Sequence, residues 1–211
     1  MKKDLTKRQK ELLNIIYQYI KNSGFPPTLQ EMRESLAVSS NQSILDLLEK
    51  LKNNGLIKRG EGARNIAILP LGYEALGTSF LVPFLGITSA GAPVETIEIS
   101  GEWQALSQEV AQLQENVFLL KISGDSMINA GIDDGDVVLV QNKKEFVSGE
   151  VVLAQVGDES TIKRFISQDK PPYVYLKPEN PKYENILFKD DTELKGKVIS
   201  VLKNGYWKPV K

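Results

Sequence analysis

Residues Val117 to Met127 read VFLLKISGDSM, an apolar run that stops abruptly in Ser-Gly-Asp-Ser-Met. Apolar, β-branched and aromatic residues in one short run describe a buried strand, and Gly124 ends it. Ser126 then sits just past a strand end, where rigid backbone holds a hydroxyl that stays reachable. A serine nucleophile needs a base, and the chain contains no His, which excludes a Ser-His-Asp arrangement. A lysine can take that role if burial lowers its pKa. The candidate is Lys163 in Ser160-Thr-Ile-Lys-Arg-Phe165, with Ile162 and Phe165 as apolar neighbours. Each fragment alone also has an ordinary reading, since Gly-Asp-Ser is a common turn and Lys-Arg on a strand is usually solvated.

A length of 211 residues allows one or two domains with modest cores. The absence of Cys excludes disulfides and thiolate metal sites, and without His a zinc site is not expected, so neither a metal nor another cofactor is anticipated. No apolar run approaches the length of a bilayer span, and MKKDLTKRQK has no apolar segment behind its charges. No membrane association is expected, and cytoplasmic residence is the default. The net charge of -1 hides an asymmetry: residues 1–70 carry 12 Lys+Arg against 7 Asp+Glu, whereas residues 71–211 carry 14 against 20. A basic first part on an acidic remainder points to a polyanion, most simply nucleic acid, as partner of the first part.

Thr6-Lys-Arg-Gln9 is a capping-box pattern, followed at helical spacing by Leu12, Leu13, Ile16 and Ile20; Gly24 and Pro26-Pro27 end that helix. A second capping box, Thr28 to Glu31, opens a short helix with Met32 and Leu36 inward. A third helix starts at Ser39 or Ser40, with Ile44, Leu47, Leu48 and Leu51 as its stripe and Gly55 as C-cap. Two short strands around a glycine turn then complete the order of a winged helix-turn-helix, although three helices and a hairpin also occur in domains that bind no nucleic acid. In a winged helix the third helix enters the major groove by its N-terminal end, which here presents Ser40, Asn41, Gln42, Ser43 and Asp46 to base edges. Arg64, with Lys50, Lys52, Lys58 and Arg59, is expected to contact phosphates. Residues 70–82 show no sustained period and read as a linker. Beyond them short strands alternate with turns such as Asp133-Asp-Gly-Asp136 and Asn204-Gly205. The expected fold class is α+β in two domains: residues 1–69 as the winged helix and 83–211 as a mostly-β domain.

Four stretches in one order match a known family: Leu5-Thr-Lys-Arg-Gln9 with Gly24-Phe-Pro-Pro-Thr28, Ser89-Ala-Gly-Ala-Pro93, Ser123-Gly-Asp-Ser-Met127, and Thr161-Ile-Lys-Arg164. Over nearly its whole length the chain resembles the LexA family, the self-cleaving repressors of the bacterial DNA-damage (SOS) response. The resemblance implies a signal-peptidase-like second domain, Ser126 as nucleophile, Lys163 as general base, and self-cleavage between Ala90 and Gly91. It also implies a homodimer on double-stranded operator DNA, and stimulation of cleavage by the RecA filament on single-stranded DNA. Residues 197–207 are the expected pairing surface, with an ordinary terminal hairpin as the plain alternative. The third helix departs from the best-known pattern of the family, so the operator is not carried over, and Thr88 stands where an apolar residue is common.

A lysine of ordinary pKa is neutral in only about 0.04% of molecules at pH 7. Desolvation by roughly 3 to 5 pK units, or about 4 to 7 kcal/mol, makes it an efficient base. Folding of Leu85 to Val94 over the site would supply that burial, and the amide N–H groups of Ser126 and Asp125 would stabilise the oxyanion. Three alternatives are a phage-type repressor with the same peptidase module, a non-cleaving DNA-binding dimer, and a protease acting on other proteins.

Overall fold

The structure is a computed structural model that describes residues 5–60, 64–88, 103–106 and 117–210, with backbone alone for 85–88. It divides into two compact units.

The first unit is built on three helices, α1 (Lys7–Ser23), α2 (Leu29–Ser35) and α3 (Asn41–Asn53). Both expected capping boxes form: Thr6 Oγ1 accepts from Gln9 N–H and Thr28 Oγ1 from Glu31 N–H, while the Gln9 and Glu31 side chains reach back to the cap amides. Ser40 is the residue that caps α3. Gly24 ends α1 in the left-handed region at φ 79°, where a side chain would be strained. Leu12, Leu13 and Ile16 of α1 meet a core shared with Met32, Ile44, Leu48 and Leu51, all nearly without exposure; Leu47 is only half-buried. The wing is the antiparallel pair β1 (Ile57–Arg59) and β2 (Ile66–Ile68). This unit is a winged helix-turn-helix.

Residues 70–82, expected to be a linker, instead contain a helix, α4 (Pro70–Leu76). Pro70 suits its first turn, and Gly72 packs so closely that a Cβ there would stand 2.4 Å from the Leu56 carbonyl oxygen. Tyr73 is buried edge-on to Tyr17 and stacked on Phe80. Burial raises the Tyr73 phenol to about 12. Also in this unit is β4 (Trp103–Leu106), although the sequence groups it with the second domain; Trp103 Nε1 donates to the Gly24 carbonyl at 2.7 Å.

The second unit is mostly β. Its strands are β3 (Phe80–Thr88, counted here from residue 83), β5 (Val117–Ile122), β6 (Val137–Gln141), β7 (Val151–Val156), β8 (Glu159–Ser167), β9 (Val174–Lys177), β10 (Ile186–Leu187), β11 (Thr192–Lys203) and β12 (Tyr206–Pro209). They lie in the order β10-β9-β8-β7-β11-β6-β5-β3, with β12 also on β11. The β3–β5 pair is parallel and the rest are antiparallel. Long β11 serves both β7 and β6 by shifting register at two irregularities, and Gly196 is needed there because a Cβ would meet the Gln141 carbonyl at 2.7 Å. Phe118, Leu120 and Ile122 alternate into a core with Val138, Val140, Leu153, Ile162 and Val201.

Candidate active site and DNA-reading face

β5 delivers the Ser-Gly-Asp-Ser turn, and the acidic loop before β6 holds it. Ile122 N–H donates to the Asp136 carbonyl at 2.7 Å, Gly135 N–H to the Ile122 carbonyl at 2.9 Å, and Gly124 N–H to Asp134 Oδ1 at 2.7 Å. Asp133 and Asp136 are tied in turn to Lys203 of β11. Thus the acidic run has structural partners, and among the described residues no group of acidic side chains is arranged to hold a metal. Met127 is buried in the core, which anchors the residue beside Ser126.

Lys163 comes from β8, opposite Val152 of β7. Cross-strand partners share a face, so the aliphatic stem of Lys163 lies beside a fully buried valine. Thr161, two residues earlier, projects to the same face. Lys163 is only 6% exposed. Its Nζ stands 2.8 Å from Ser126 Oγ, 2.7 Å from Thr161 Oγ1 and 3.0 Å from the Ile162 carbonyl oxygen. Those three acceptors match the three N–H donors of the ammonium; in the neutral amine two N–H bonds remain for Thr161 and Ile162, and the lone pair accepts from the Ser126 hydroxyl. Among the described residues no carboxylate pairs with Lys163, and desolvation lowers its pKa to about 8. About 9% is then neutral at pH 7, some two to three hundred times the fraction of an ordinary lysine.

Ser126 N–H meets no acceptor among the described residues, as an oxyanion donor requires. Asp125 differs. Its carboxyl is held below the usual range, chiefly by the Tyr183 hydroxyl at 2.5 Å and further by its own backbone N–H. Ala90 and Gly91, and the segment expected to cover Lys163, lie outside the described residues except for the backbone of 85–88.

In the first unit Ser40, Asn41, Gln42, Ser43 and Asp46 are all exposed at the start of α3. Gln42 Nε2 donates to Asp46 Oδ1 at 2.8 Å, so two of the expected base readers are paired with each other. Arg64, expected to contact phosphate, donates its guanidinium to the Pro26 carbonyl at 2.9 Å and to Glu31 at 3.1 Å, tying the wing to the start of α2, and stays partly exposed. The sequence reading also missed Glu179 and Asn180, which follow β9 and contact the Ser126 turn.

A helix-turn-helix with a wing, joined to a β domain carrying a buried lysine against a serine, defines a class: a DNA-binding regulator fused to a peptidase-type domain. A family model described as LexA DNA binding domain matches residues 2–64, and one described as Peptidase S24-like matches residues 83–199. The LexA repressor of Geobacillus sp. (strain WCH70) is 35% identical over 204 residues, covering 94% of this chain and 97% of its own. That of Caldicellulosiruptor saccharolyticus is 34% identical over 204 residues (96% and 99%), and that of Listeria monocytogenes serotype 4a is 36% identical over 203 residues (95% and 98%). The chain belongs to the LexA repressor family.

Proposed function

We propose that this protein represses DNA-damage (SOS) genes in the cytoplasm by binding double-stranded operator DNA as a homodimer, and that it is inactivated by cutting its own Ala90–Gly91 bond. The 2.8 Å contact between Ser126 Oγ and a buried Lys163 Nζ carries the reading of the reaction. Neutral Lys163 takes the Ser126 proton as Oγ attacks the Ala90 carbonyl carbon. The resulting oxyanion is received by Ser126 N–H, with Asp125 N–H as the second expected donor. Protonated Lys163 then returns the proton to the Gly91 nitrogen as the C–N bond breaks, leaving an acyl-enzyme at Ser126. Water, deprotonated by the same lysine, releases the fragment that ends at Ala90.

Repression follows from avidity. Two winged helices held in one dimer read two half-sites, and the cut frees each reader to bind alone and weakly. The β11–β12 hairpin, where Tyr206 is 75% exposed, is the proposed pairing surface. The RecA filament on single-stranded DNA acts by favouring the state in which the scissile segment is docked. The test is incubation with activated filament on operator-bound protein, following fragments by mass and operator occupancy by footprinting. Fragments ending at Ala90 together with loss of the footprint are expected. A lost footprint without fragments, or fragments that also form in Ser126→Ala, would refute the self-cleavage mechanism.

A further inference from the structure

The turn that carries Ser126 has a support that the nucleophile and base do not use. Asn180 lies just after β9 and is 6% exposed. Its Nδ2 donates to the Asp125 carbonyl oxygen at 3.0 Å and to Asp125 Oδ2 at 3.1 Å. Its Oδ1 accepts from Lys182 N–H at 3.1 Å, which fixes which end of the amide is the donor. The neighbouring Glu179 donates its N–H to the Ser126 carbonyl at 2.9 Å, and its carboxylate is held by Arg164 Nε at 2.5 Å. Arg164 directly follows Lys163 on β8, so the same bracket touches the nucleophile's turn and the base's strand.

The Asp125 carbonyl and the Ser126 N–H belong to one peptide plane. Among the described residues the cis bond is Pro171–Pro172, so this plane is trans, and its C=O and N–H point in opposite directions. Whatever pins the carbonyl therefore aims the amide. An oxyanion donor is effective only when it is aimed before charge develops. We propose that Asn180 is a positioning residue that orients the Asp125–Ser126 peptide so that the Ser126 N–H faces the developing oxyanion. This inference rests on the self-cleavage reading above. Glu179, donating to the next carbonyl, pins the following plane and keeps the turn from pivoting about Ser126.

Asn180→Leu keeps the size and neutrality of the side chain while deleting the donor. In the full chain, self-cleavage across pH 7 to 10 is expected to reach a plateau rate lower by on the order of 10²-fold, with the midpoint set by Lys163 unchanged. A purely structural role instead lowers the unfolding temperature and the fraction of chain able to cut, leaving the rate of the folded fraction as it was. Asn180→Ala serves in the same way if the leucine variant does not fold. Wild-type rates in a folded variant overturn the proposal. Hydrogen exchange at the Glu179 amide, which donates to the residue 126 carbonyl at 2.9 Å, tests the hold on the turn in a Ser126→Ala background with cleavage removed. Severalfold faster exchange on adding Asn180→Leu is expected, and unchanged exchange overturns the proposal. Should the wild-type chain never cut, the self-cleavage reading fails by itself, and the exchange result alone decides whether Asn180 holds the turn.

Discussion

The two units keep the side chains proposed to do their work in opposite surroundings. At the start of α3, Ser40, Asn41, Gln42, Ser43 and Asp46 stand in solvent, where Gln42 and Asp46 satisfy one another. On β8, Lys163 is nearly sealed from solvent and has neutral partners among the described residues. A solvated reader offers its chemistry without cost to the fold, so it can change its target while the helix persists. A buried amine gains its chemistry from desolvation, so reactivity and instability rise together. On the function proposed above, reading is thus separable from folding, whereas the chemistry of the Ser126–Lys163 pair is not.

That contrast can be broken from the core outward. Leu48→Ala opens a cavity among fully buried residues of the first unit and is expected to cost about 2 to 5 kcal/mol. Calorimetry and operator titration should then show an early-melting unit and lost DNA binding, with self-cleavage retained. Loss of both activities would mean that the units do not act separately.

Lys163→Met is expected to stop cleavage yet stabilise the fold at pH 7 by up to about 3 kcal/mol, the equivalent of lowering a lysine from 10.5 to about 8. The folded-state pKa lies below the unfolded one, so the penalty of burying the charge is full below pH 8. It fades between pH 8 and 10.5 and is gone above. Denaturant titrations should therefore show the advantage of the methionine variant shrinking as pH rises through that window. An advantage that is constant with pH would mean that desolvation is not what sets the Lys163 pKa.

Asp46→Ala, at the exposed end, is expected to change preference at one operator base pair by about 1 to 3 kcal/mol, since it removes one reader and releases Gln42. Melting should move by less than about 0.5 kcal/mol. Binding to a set of single-base operator variants would reveal it as altered choice rather than uniform weakening.

The legible features of the sequence were those written in local chemistry. Thr6 and Thr28 announce their helices through side chains three residues away, and β5 and β7 run as mostly apolar segments, each with one polar residue, with the bounds their composition indicates. Ser126 and Lys163 were singled out because a strand ends just before Ser126, because no His is available as base, because Lys163 has apolar neighbours in Ile162 and Phe165, and because both fall on motifs of the family resemblance. Helix α4 was missed because it has seven residues, too few to set up a period, and its placement depends on Gly72 meeting Leu56 from another element. Arg64 shows a different limit: sequence reports its charge, but only the fold reveals that Glu31, 33 positions away, takes it. Asn180 reads locally as a turn residue, and its contact with Asp125 spans 55 positions.

The most direct measurement is the rate of self-cleavage of the purified chain from pH 7 to pH 10 without any partner, with fragments identified by intact mass. A buried Lys163 base predicts fragments ending at Ala90 and starting at Gly91, formed at a rate that rises with pH and levels off above a midpoint near pH 8, and no such fragments from Ser126→Ala. A rate that is flat from pH 7 to 10, or that continues to climb through pH 10 without levelling, would contradict a buried lysine of that pKa as the base.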